Sequence, residues 1–322
     1  MGLGSVHYAP CLFAFMLVAS PASASEYPAR PIRMIVPQAA GSSSDTLARV
    51  IAAALTQRLK QQVVVDNRPG LMLGLEMIAH APPDGYTIGT GPVGLLAVMP
   101  HVIREAPIDV QKDLQPIVLA TNSQMLLVAS VSISFKSVRD MIDYAKQYPG
   151  KLSNASSGNG SPGHVGFELF KHMTGTNIVH VPYKGGGAGV NDLISGQVQL
   201  MMESLLGVTQ HVKSGRVRGL AVSGSARSPA FPELPTIAEA GVPGYEANTW
   251  TGVVAPARTP KTIVAILNAE INAALATQSL KEKIALFGAE PAGGTPEHFG
   301  AVIRKDSAKW AEVVKRSGAM AD

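Results

Sequence analysis

The order of apolar and polar positions predicts alternating strands and helices. An apolar run at Pro31–Gln38 is typical of a buried strand, and it ends at a segment rich in Gly and Ser, Ala39–Asp45. Apolar residues then recur every fourth position from Leu47 to Leu59, which indicates the buried stripe of a helix. A β-branched run at Gln62–Asn67 follows. This strand–helix–strand order predicts a βαβ unit and therefore a parallel sheet.

The same alternation continues to the end of the chain and predicts an α/β fold. Further strands are predicted at Tyr86–Thr90, Ile117–Ala120, Met125–Ser130, Lys151–Ser157, Asn177–Tyr183, Val198–Glu203 and Val217–Ser223. Further helices are predicted at Ser137–Gly150, His164–Gly175, Gly187–Gly196, Val208–Gly215, Ala257–Ala276 and Gly294–Gly318. We expect Thr259–Pro260 and Thr295–Pro296 to supply the N-cap and first residue of the last two helices. The irregular stretch Ser225–Glu246 is expected to return the chain to the first domain.

The N-terminus predicts export. Cys11–Ser20 is an apolar run about ten residues long, and the small residues Ala22–Ala24 follow it as a cleavage site. The run is too short for a membrane-spanning helix, which needs ~20 apolar residues. Residues 1–24 are therefore predicted to be a signal peptide, although the leader lacks Lys and Arg. Removal of this segment would also remove Cys11, the only cysteine, so disulfides and thiol chemistry are excluded.

The number and distribution of charged residues argue against nucleic acid binding and exclude few other functions. The chain has 27 Lys and Arg residues against 23 Asp and Glu, a formal net charge of +4, and the basic residues are scattered. No basic run with interleaved aromatic residues suggests a nucleic acid partner. No motif predicts a metal or a cofactor. A mildly cationic surface favours small anions only weakly.

Three glycine-rich turns between a strand and a helix carry the candidate chemistry. They are Ala39–Asp45, Gly158–His164 and Tyr183–Gly189. The start of a helix leaves backbone N–H groups without partners and carries a partial positive charge, so glycine and serine there allow an anion to approach. In the second turn Ser161 is predicted to be the N-cap and Pro162 the first helical residue.

Two segments fit the dinucleotide pattern GxGxxG: the turn at Gly158–Gly163 and an earlier segment at Gly89–Gly94. A dinucleotide site also needs an acidic residue about twenty positions further on, after the next strand. The strand after Gly158 ends instead at Tyr183–Lys184, and the segment after Gly94 is too short for a crossover helix before Pro100. A nucleotide is therefore not predicted. Hydrolase chemistry is not predicted either, because neither GxSxG nor HExxH is present.

Single residues in these turns leave alternatives open. His164 could act as a general base, donate to an anion as a neutral ring, or be a solvated residue of the first helical turn. Lys184 is a ligand contact or a surface lysine, and Glu203 contacts a ligand hydroxyl or amine or is a solvated turn residue. The neighbouring apolar residues Met201 and Met202, like Trp250, are interpreted as packing.

Together these motifs resemble one family. The segments that carry the resemblance include YPARPIRMIVPQAAGSSSDTLAR, PDGYTIGT, ASSGNGSPGHVGFELF, HVPYKGGGAGVNDLISGQVQLMME and LPTIAEAGVPGYEANTWTGVVAPARTP, and they run from about Tyr27 to Asp322. In this order they resemble the Bug-type extracytoplasmic solute receptors of tripartite tricarboxylate transporters. The resemblance implies a type II periplasmic-binding-protein fold, in which two α/β lobes close on an organic acid in a cleft. It also implies a binding protein, not an enzyme.

The resemblance further implies a division of the chain and a set of ligand contacts. Residues 25–123 and 246–322 would form lobe 1, and residues 124–245 would form lobe 2. Backbone N–H groups and hydroxyls would hold the carboxylate. The contacts expected from lobe 1 are Gly41, Ser42, Ser43, Ser44, Thr90 and Gly91, and those expected from lobe 2 are Asn159, Gly160, Ser161, His164, Lys184, Gly185 and Glu203.

The sequence departs from the family pattern at three places. Ser42 stands where the family usually has a second Gly, the loop from Gly70 to Gly74 is short and apolar, and Glu203 replaces a more familiar Asp. The apolar rim suggests a ligand with a hydrophobic body. The expected protein is a periplasmic monomer that delivers its ligand to membrane components of a transporter. A sensory receptor for the same ligands and an exported enzyme using His164 or Ser161 are the alternatives.

Overall fold

The computed structural model describes residues 1–2, 27–70, 72–286 and 288–318. Most of the predicted signal peptide, and Leu71 in the shortened loop, lie outside these ranges. The described residues form two α/β lobes, each built on one mixed sheet. Within these ranges no single helix is long and apolar enough to cross a membrane. The helices Lys261–Leu275 and Gln278–Ala285, bent by 76° relative to each other, are together long and apolar enough by length and composition only.

The first sheet confirms the βαβ prediction. Strand β1 runs parallel to both β2 and β3, with Ile32 opposite Val63 and Arg33 opposite Thr87. The sheet has the order β11-β4-β10-β3-β1-β2. Its strands are β1 (Ile32–Val36), β2 (Val63–Asn67), β3 (Thr87–Pro92), β4 (Leu114–Ser123), β10 (Thr249–Pro256) and β11 (Ala289–Pro291).

The helices of this lobe cover both faces of its sheet. They are α1 (Ser43–Leu59), α2 (Leu73–Ala79), α3 (Met99–Val102), α4 (Val110–Asp113), α9 (Lys261–Leu275), α10 (Gln278–Ala285) and α11 (Pro296–Ser317). A π-helix at Gly94–Val98 precedes α3. The predicted stripe on α1 is confirmed, because Leu47, Ile51 and Leu55 are buried. Thr295 caps α11 as predicted.

The second sheet has the order β7-β6-β8-β5-β9, and β6 runs parallel to β7 and β8. Its strands are β5 (Met125–Ser130), β6 (Ser153–Ser156), β7 (Val179–Pro182), β8 (Leu200–Ser204) and β9 (Val217–Val222). Its helices are α5 (Val138–Gln147), α6 (Pro162–Thr174), α7 (Gly186–Ser195) and α8 (Leu205–Lys213). The predicted C-caps Gly175 and Gly196 are confirmed, both in the left-handed region.

Several predicted details are wrong. Pro260, not Thr259, is the N-cap of α9, because the Thr259 hydroxyl donates to the Pro256 carbonyl instead. Helix α8 ends at Ser214, one residue before Gly215. The last part of the chain contains α10 and β11 in addition to the two predicted helices, because the side chain of Thr277 accepts from Leu280 N and starts a new helix.

The two lobes are joined by two crossings that lie side by side. Only Gln124 separates β4 from β5, and the returning chain enters β10 where Thr249 pairs with Ser123. The fully buried Ser223 clamps both crossings: its Oγ accepts from Met125 N and donates to Ala247 O, each at 2.8 Å. The lobe boundaries at residues 123/124 and 245/246 stay a prediction.

Helix α11 ties the lobes together away from the crossings. Asp306 accepts a 2.5 Å hydrogen bond from Trp250 Nε1 on β10, and Ser307 lies 2.9 Å from His101 Nε2 of α3. At the far end of the helix, Arg316 Nη1 lies 3.0 Å from Nε2 of His172 on α6 in the second lobe. One continuous apolar core therefore extends across both lobes.

We expect Ser223→Ala to lower the free energy of unfolding by about 1–3 kcal/mol, because it leaves a buried N–H and a buried carbonyl without partners. Urea denaturation measures the loss. Ser225→Ala, at an exposed position two residues on, is the matched control. Equal transition midpoints for the two variants would contradict the role of Ser223 as a clamp.

Candidate functional site

Three helices of the second lobe begin at one edge of its sheet. Strands β7, β6 and β8 are neighbours and parallel, and α7, α6 and α8 start directly after them. In open α/β sheets, ligands bind at the carboxyl ends of the strands. The helix starts there present backbone N–H groups and a partial positive charge. This edge can therefore hold an anion without a formal cation.

The loop Gly158–Ser161 has the predicted capping geometry. The Ser161 side chain accepts from His164 N at 3.3 Å, and Pro162 is the first residue of α6. Gly158 and Gly160 have φ values of 130° and 72°, which disfavour any residue with a side chain. At Gly163, a Cβ would lie 2.1 Å from Met202 O, so glycine is required for α6 to approach β8.

The structure brings the predicted contacts of the second lobe together. Gly185 N donates to Ser157 O at 3.3 Å, which joins the loop after β7 to the loop after β6. A Cβ on Gly186 would lie 2.5 Å from Glu203 Oε2. Three adjoining loops therefore contain the predicted contacts Asn159, Gly160, Ser161, Lys184, Gly185 and Glu203. Among them, the side chains of Asn159 and Lys184 are exposed.

Glu203 lines a cavity of about 280 Å³ between the starts of α7 and α8, together with Gly186, Gly207 and His211. Its Oε1 accepts a 2.8 Å hydrogen bond from Ser204 N. Burial raises the pKa of this carboxyl, and the hydrogen bond from Ser204 offsets only part of the increase. Glu203 can therefore offer a ligand either an acceptor or, when protonated, a donor.

In the first lobe, the Asp45 carboxylate hydrogen-bonds to the loop before α1. Its Oδ2 accepts from Gly41 N at 2.8 Å, and its carboxylate also bonds Arg49 and Asn67. Burial raises the pKa of Asp45, but the hydrogen bonds from Arg49, Gly41 and Asn67 more than offset it, so the pKa lies below its ordinary value. Ser42 is the N-cap of α1, as its position implied.

The other predicted contacts of the first lobe differ in accessibility. Ser43 and Gly41 are exposed, whereas Ser44 is 3% exposed. Thr90 is fully buried on β3, and its Oγ1 has no hydrogen-bond partner among the described residues. Gly91 packs so closely that a Cβ would lie 2.4 Å from Leu96 Cδ1. The Thr90 hydroxyl is therefore buried on an interior strand with its hydrogen-bonding capacity unused among the described residues.

The two lobes touch beside these loops. A Cβ on Gly160 would lie 2.9 Å from Met99 Sδ, and one on Gly94 would lie 3.8 Å from Pro162 Cδ. The π-helix and α3, which follow β3, thus pack directly on the loop before α6. The shortened loop leads into α2. In that helix, a Cβ added to Gly74 would lie 2.5 Å from Pro37 Cβ. Of the predicted apolar rim, Met72 is buried and Leu73 is exposed.

His164 is a buried side chain with a defined partner. It is 4% exposed, and its Nδ1 accepts a 3.0 Å hydrogen bond from Gly160 N. Its ring stacks on that of His180, with centroids 3.8 Å apart and planes at 9°. Burial, His180 and Lys171 lower the pKa of His164 to about 3, and burial and Lys171 lower that of His180 to about 4. Both rings are therefore neutral near neutral pH.

The sequence-based prediction missed side chains that support the loops from behind. Asp45, Ser156 and His180 bond loop atoms but were not among the predicted contacts. Asp45, three residues after Ser42, had the spacing of an N-terminal capping residue and could have been found. His180 carried no local signal, because its partner Ser156 lies 24 residues away on the neighbouring strand.

Comparison with known proteins identifies the family. The sequence profile described as "Tripartite tricarboxylate transporter family receptor" matches residues 47–319. BugT of Bordetella pertussis is 38% identical over 309 residues, which is 94% of each chain. The chain belongs to this receptor family. Its members among the structural neighbours are solute-binding proteins, not enzymes, as the resemblance implied.

Solved structures of relatives share the fold of the receptor. R. palustris Rpa4515 with adipate is 39% identical with a TM-score of 0.82, covering 91% of this chain and 99% of its own. MatC from Rhodopseudomonas palustris with bound malate is 29% identical with a TM-score of 0.78, covering 89% and 100%. The predicted type II periplasmic-binding-protein fold with two lobes is thereby confirmed.

The histidine pair predicts how stability depends on pH. Because the folded pKa values lie below the ordinary value of 6.5, the unfolded chain takes up protons first as the pH falls. Stability from these groups is complete above about pH 6.5 and is lost progressively toward about pH 3–4, by up to about 1.4 kcal/mol per pH unit for each group.

Replacing both rings should flatten this dependence. We expect the double variant His164→Asn and His180→Gln to lose less free energy of unfolding than the wild type between about pH 7 and about pH 5. Denaturant titrations at the two pH values measure the difference. The exposed His80→Asn is the control, and a double variant with the wild-type slope would contradict the prediction.

Proposed function

We propose that the protein is a periplasmic receptor that captures a small organic carboxylate between its lobes and delivers it to a tripartite tricarboxylate-type membrane transporter. The observation that carries the proposal is the row of three helix starts at one edge of the second sheet. The family match and the relatives with adipate and malate support a carboxylate as the ligand. The exported location rests on the predicted signal peptide and on the family.

The ligand would be held mainly by neutral groups. Backbone N–H groups at the starts of α6 and α7 and the N-cap hydroxyl of Ser161 would bind it from the second lobe, whereas the N–H groups of Gly160 and Gly185 are paired within the protein. Gly41, Ser42, Ser43 and Ser44, with Thr90 and Gly91 as a neighbouring wall, would bind it from the first. Lys184 would add the one formal positive charge in this set, at an exposed position.

Ion pairing is not required for such a site. A hydrogen bond to a charged group contributes about 1.5–3 kcal/mol, so several N–H and O–H donors provide micromolar affinity or better. Asn159 offers a further amide at the entrance, and Glu203, whose pKa is raised, would accept from or donate to a polar group on the ligand.

A larger cavity of about 540 Å³ lies at the crossings between the lobes. It is lined by Gln124, Leu205, Asn248 and Glu290, among others, and by none of the predicted ligand contacts. The charged side chain in this lining is the Glu290 carboxylate, which would repel an anion. We therefore place the carboxylate at the glycine loops.

Lobe closure would couple binding to delivery. The proposed lobes are residues 25–123 with 246–322, and residues 124–245, joined at the clamp formed by Ser223. A ligand that contacts both lobes shifts the open–closed equilibrium toward the closed form. The closed monomer would present surfaces of both lobes to the membrane components.

A panel of mono-, di-, tri- and aromatic carboxylates, including adipate and malate, tests the function by thermal shift and calorimetry. We expect at least one acid to bind, and Ser43→Ala and Ser161→Ala each to weaken it about tenfold by removing one charge-assisted hydrogen bond. Unchanged affinity in both variants would refute the loop assignment. No binding by any acid would refute the function.

Loss of a helix cap must be separated from loss of a ligand contact. Ser137 caps α5 with the same geometry as Ser161, accepting from a backbone N three residues on. Ser137→Ala is therefore the matched control. We expect it to lower stability by about 1 kcal/mol, as Ser161→Ala does, while carboxylate affinity stays at the wild-type value.

A further inference from the structure

Two stacked imidazole rings lie directly beneath the loop Gly158–Ser161. His164 is on the first turn of α6 and His180 is on β7, and their nearly parallel rings are 3.8 Å apart. Both are largely shielded from solvent. The proposed function does not use this pair. The sequence-based interpretations of His164 placed it in contact with the ligand or with solvent.

Each ring reaches one end of the loop by hydrogen bonds. His164 Nδ1 accepts from Gly160 N at 3.0 Å. His180 Nε2 lies 2.7 Å from Ser156 Oγ, and that oxygen in turn accepts from Gly158 N and donates to Gly158 O, both at 3.2 Å. The pair therefore fixes the backbone at Gly160 directly, through His164, and at Gly158 indirectly, from His180 through Ser156.

The hydrogen bond from Gly160 defines the tautomer of His164. His164 must keep Nδ1 unprotonated to accept from Gly160 N, so its proton is on Nε2. For His180, Nε2 donates to Ser156 when the serine proton is on Gly158 O, and accepts when the serine proton is directed to the ring. The ring of His164 therefore has its acceptor committed to the loop, and a protonated ring could not accept from Gly160.

The surroundings agree with neutral rings. Glu168 Oε1 lies 3.8 Å from His164 Nε2, too far for a hydrogen bond, and is paired with Lys171 Nζ at 2.6 Å. Lys171 also donates to Ile178 O. The carboxylate nearest the pair is thus already neutralised by Lys171, which leaves no free negative charge in this cluster to favour protonation of His164.

We propose that His164 and His180 are positioning residues, which set the affinity for the carboxylate by fixing the backbone of the loop Gly158–Ser161 that leads into α6, and which do not touch the ligand. The proposal rests on the proposed function. Gly158 and Gly160 have no side chain to restrict their backbone, so nothing local holds their φ values at 130° and 72°. The rings supply the constraint that glycine lacks. A preorganised loop binds with less loss of conformational entropy.

Paired amide substitutions test the proposal, because they keep one nitrogen position of histidine and discard the other. The amide oxygen of Asn reproduces the position of Nδ1, and the amide nitrogen of Gln reproduces that of Nε2. The predicted pattern is reciprocal. His164→Asn and His180→Gln retain most of the affinity for the probe, whereas His164→Gln and His180→Asn weaken it about tenfold, or about 1.4 kcal/mol.

The probe is adipate, with malate as the alternative if adipate does not bind, and affinities are measured by calorimetry. His80→Asn and His80→Gln, at an exposed site on the other lobe, show what either amide does by itself. If His164 touches the ligand through Nε2, then His164→Gln binds better than His164→Asn, which overturns the proposal. Equal affinities for all four variants overturn it as well.

A second measurement needs neither a variant nor a ligand. Nitrogen-15 NMR of the wild-type imidazoles should show His164 protonated at Nε2 and not at Nδ1, and Gly160 N–H should exchange slowly. A protonated Nδ1 on His164, or fast exchange at Gly160, overturns the proposal even if the variants do not fold. If no acid of the panel binds while these NMR signatures are found, the proposed function fails and the role in affinity fails with it, whereas the structural role of the rings in fixing the loop stands.

Discussion

A glycine loop that binds an anion has to satisfy two opposing demands. Its N–H groups must remain unpaired on the side of the ligand, yet its backbone must keep one conformation although glycine restricts it least. The receptor fixes the conformation by bonding the N–H groups of Gly41, Gly158 and Gly160 from behind, so hydroxyls and the N–H groups of the first helical turns are left for the ligand. Asp45 does this for the loop before α1, and the His164–His180 pair with Ser156 does it for the loop before α6.

The difference between groups that contact the ligand and groups that support the loops explains why charged residues are sparse among the proposed contacts. The partial charges at helix starts come from the backbone, so they do not depend on side-chain chemistry. Charged side chains are used instead in the supporting layer, as in the bonds from Arg49 to Asp45 and from Lys171 to Glu168. Among the proposed contacts, the exposed Lys184 and the cavity-lining Glu203 are the lysine and the carboxylic acid of the set.

Local features of the fold could be predicted from the sequence, because they depend on residues close together in the chain. The βαβ unit, the Ser161 cap and the C-caps at Gly175 and Gly196 are examples. Apolar spacing was less reliable on α6. There Val165, Leu169 and Met173 are spaced four apart, yet Met173 is exposed and Phe167 is buried, because the helix packs on β8.

Features that depend on strand pairing could not be predicted. His180 reaches Ser156 only because β7 pairs with β6 in a register that sets Asn154 opposite His180. The contact of α3 with Gly160 depends in the same way on how the lobes pack. Only the family resemblance could anticipate the two-lobed arrangement. Local patterns identify which loops begin helices, but not which side chains support those loops from behind.

The crossing geometry has a consequence for how such receptors diversify. The chain leaves the first sheet at Ser123 and re-enters it opposite the same residue, at Thr249. The second sheet and its helices are thus inserted between two adjacent points. Recombination at these points would exchange all the proposed contacts of the second lobe in one event and leave the first sheet continuous. New ligand preferences could arise by shuffling whole modules as well as by point mutation, provided the incoming module brings its own equivalent of Ser223.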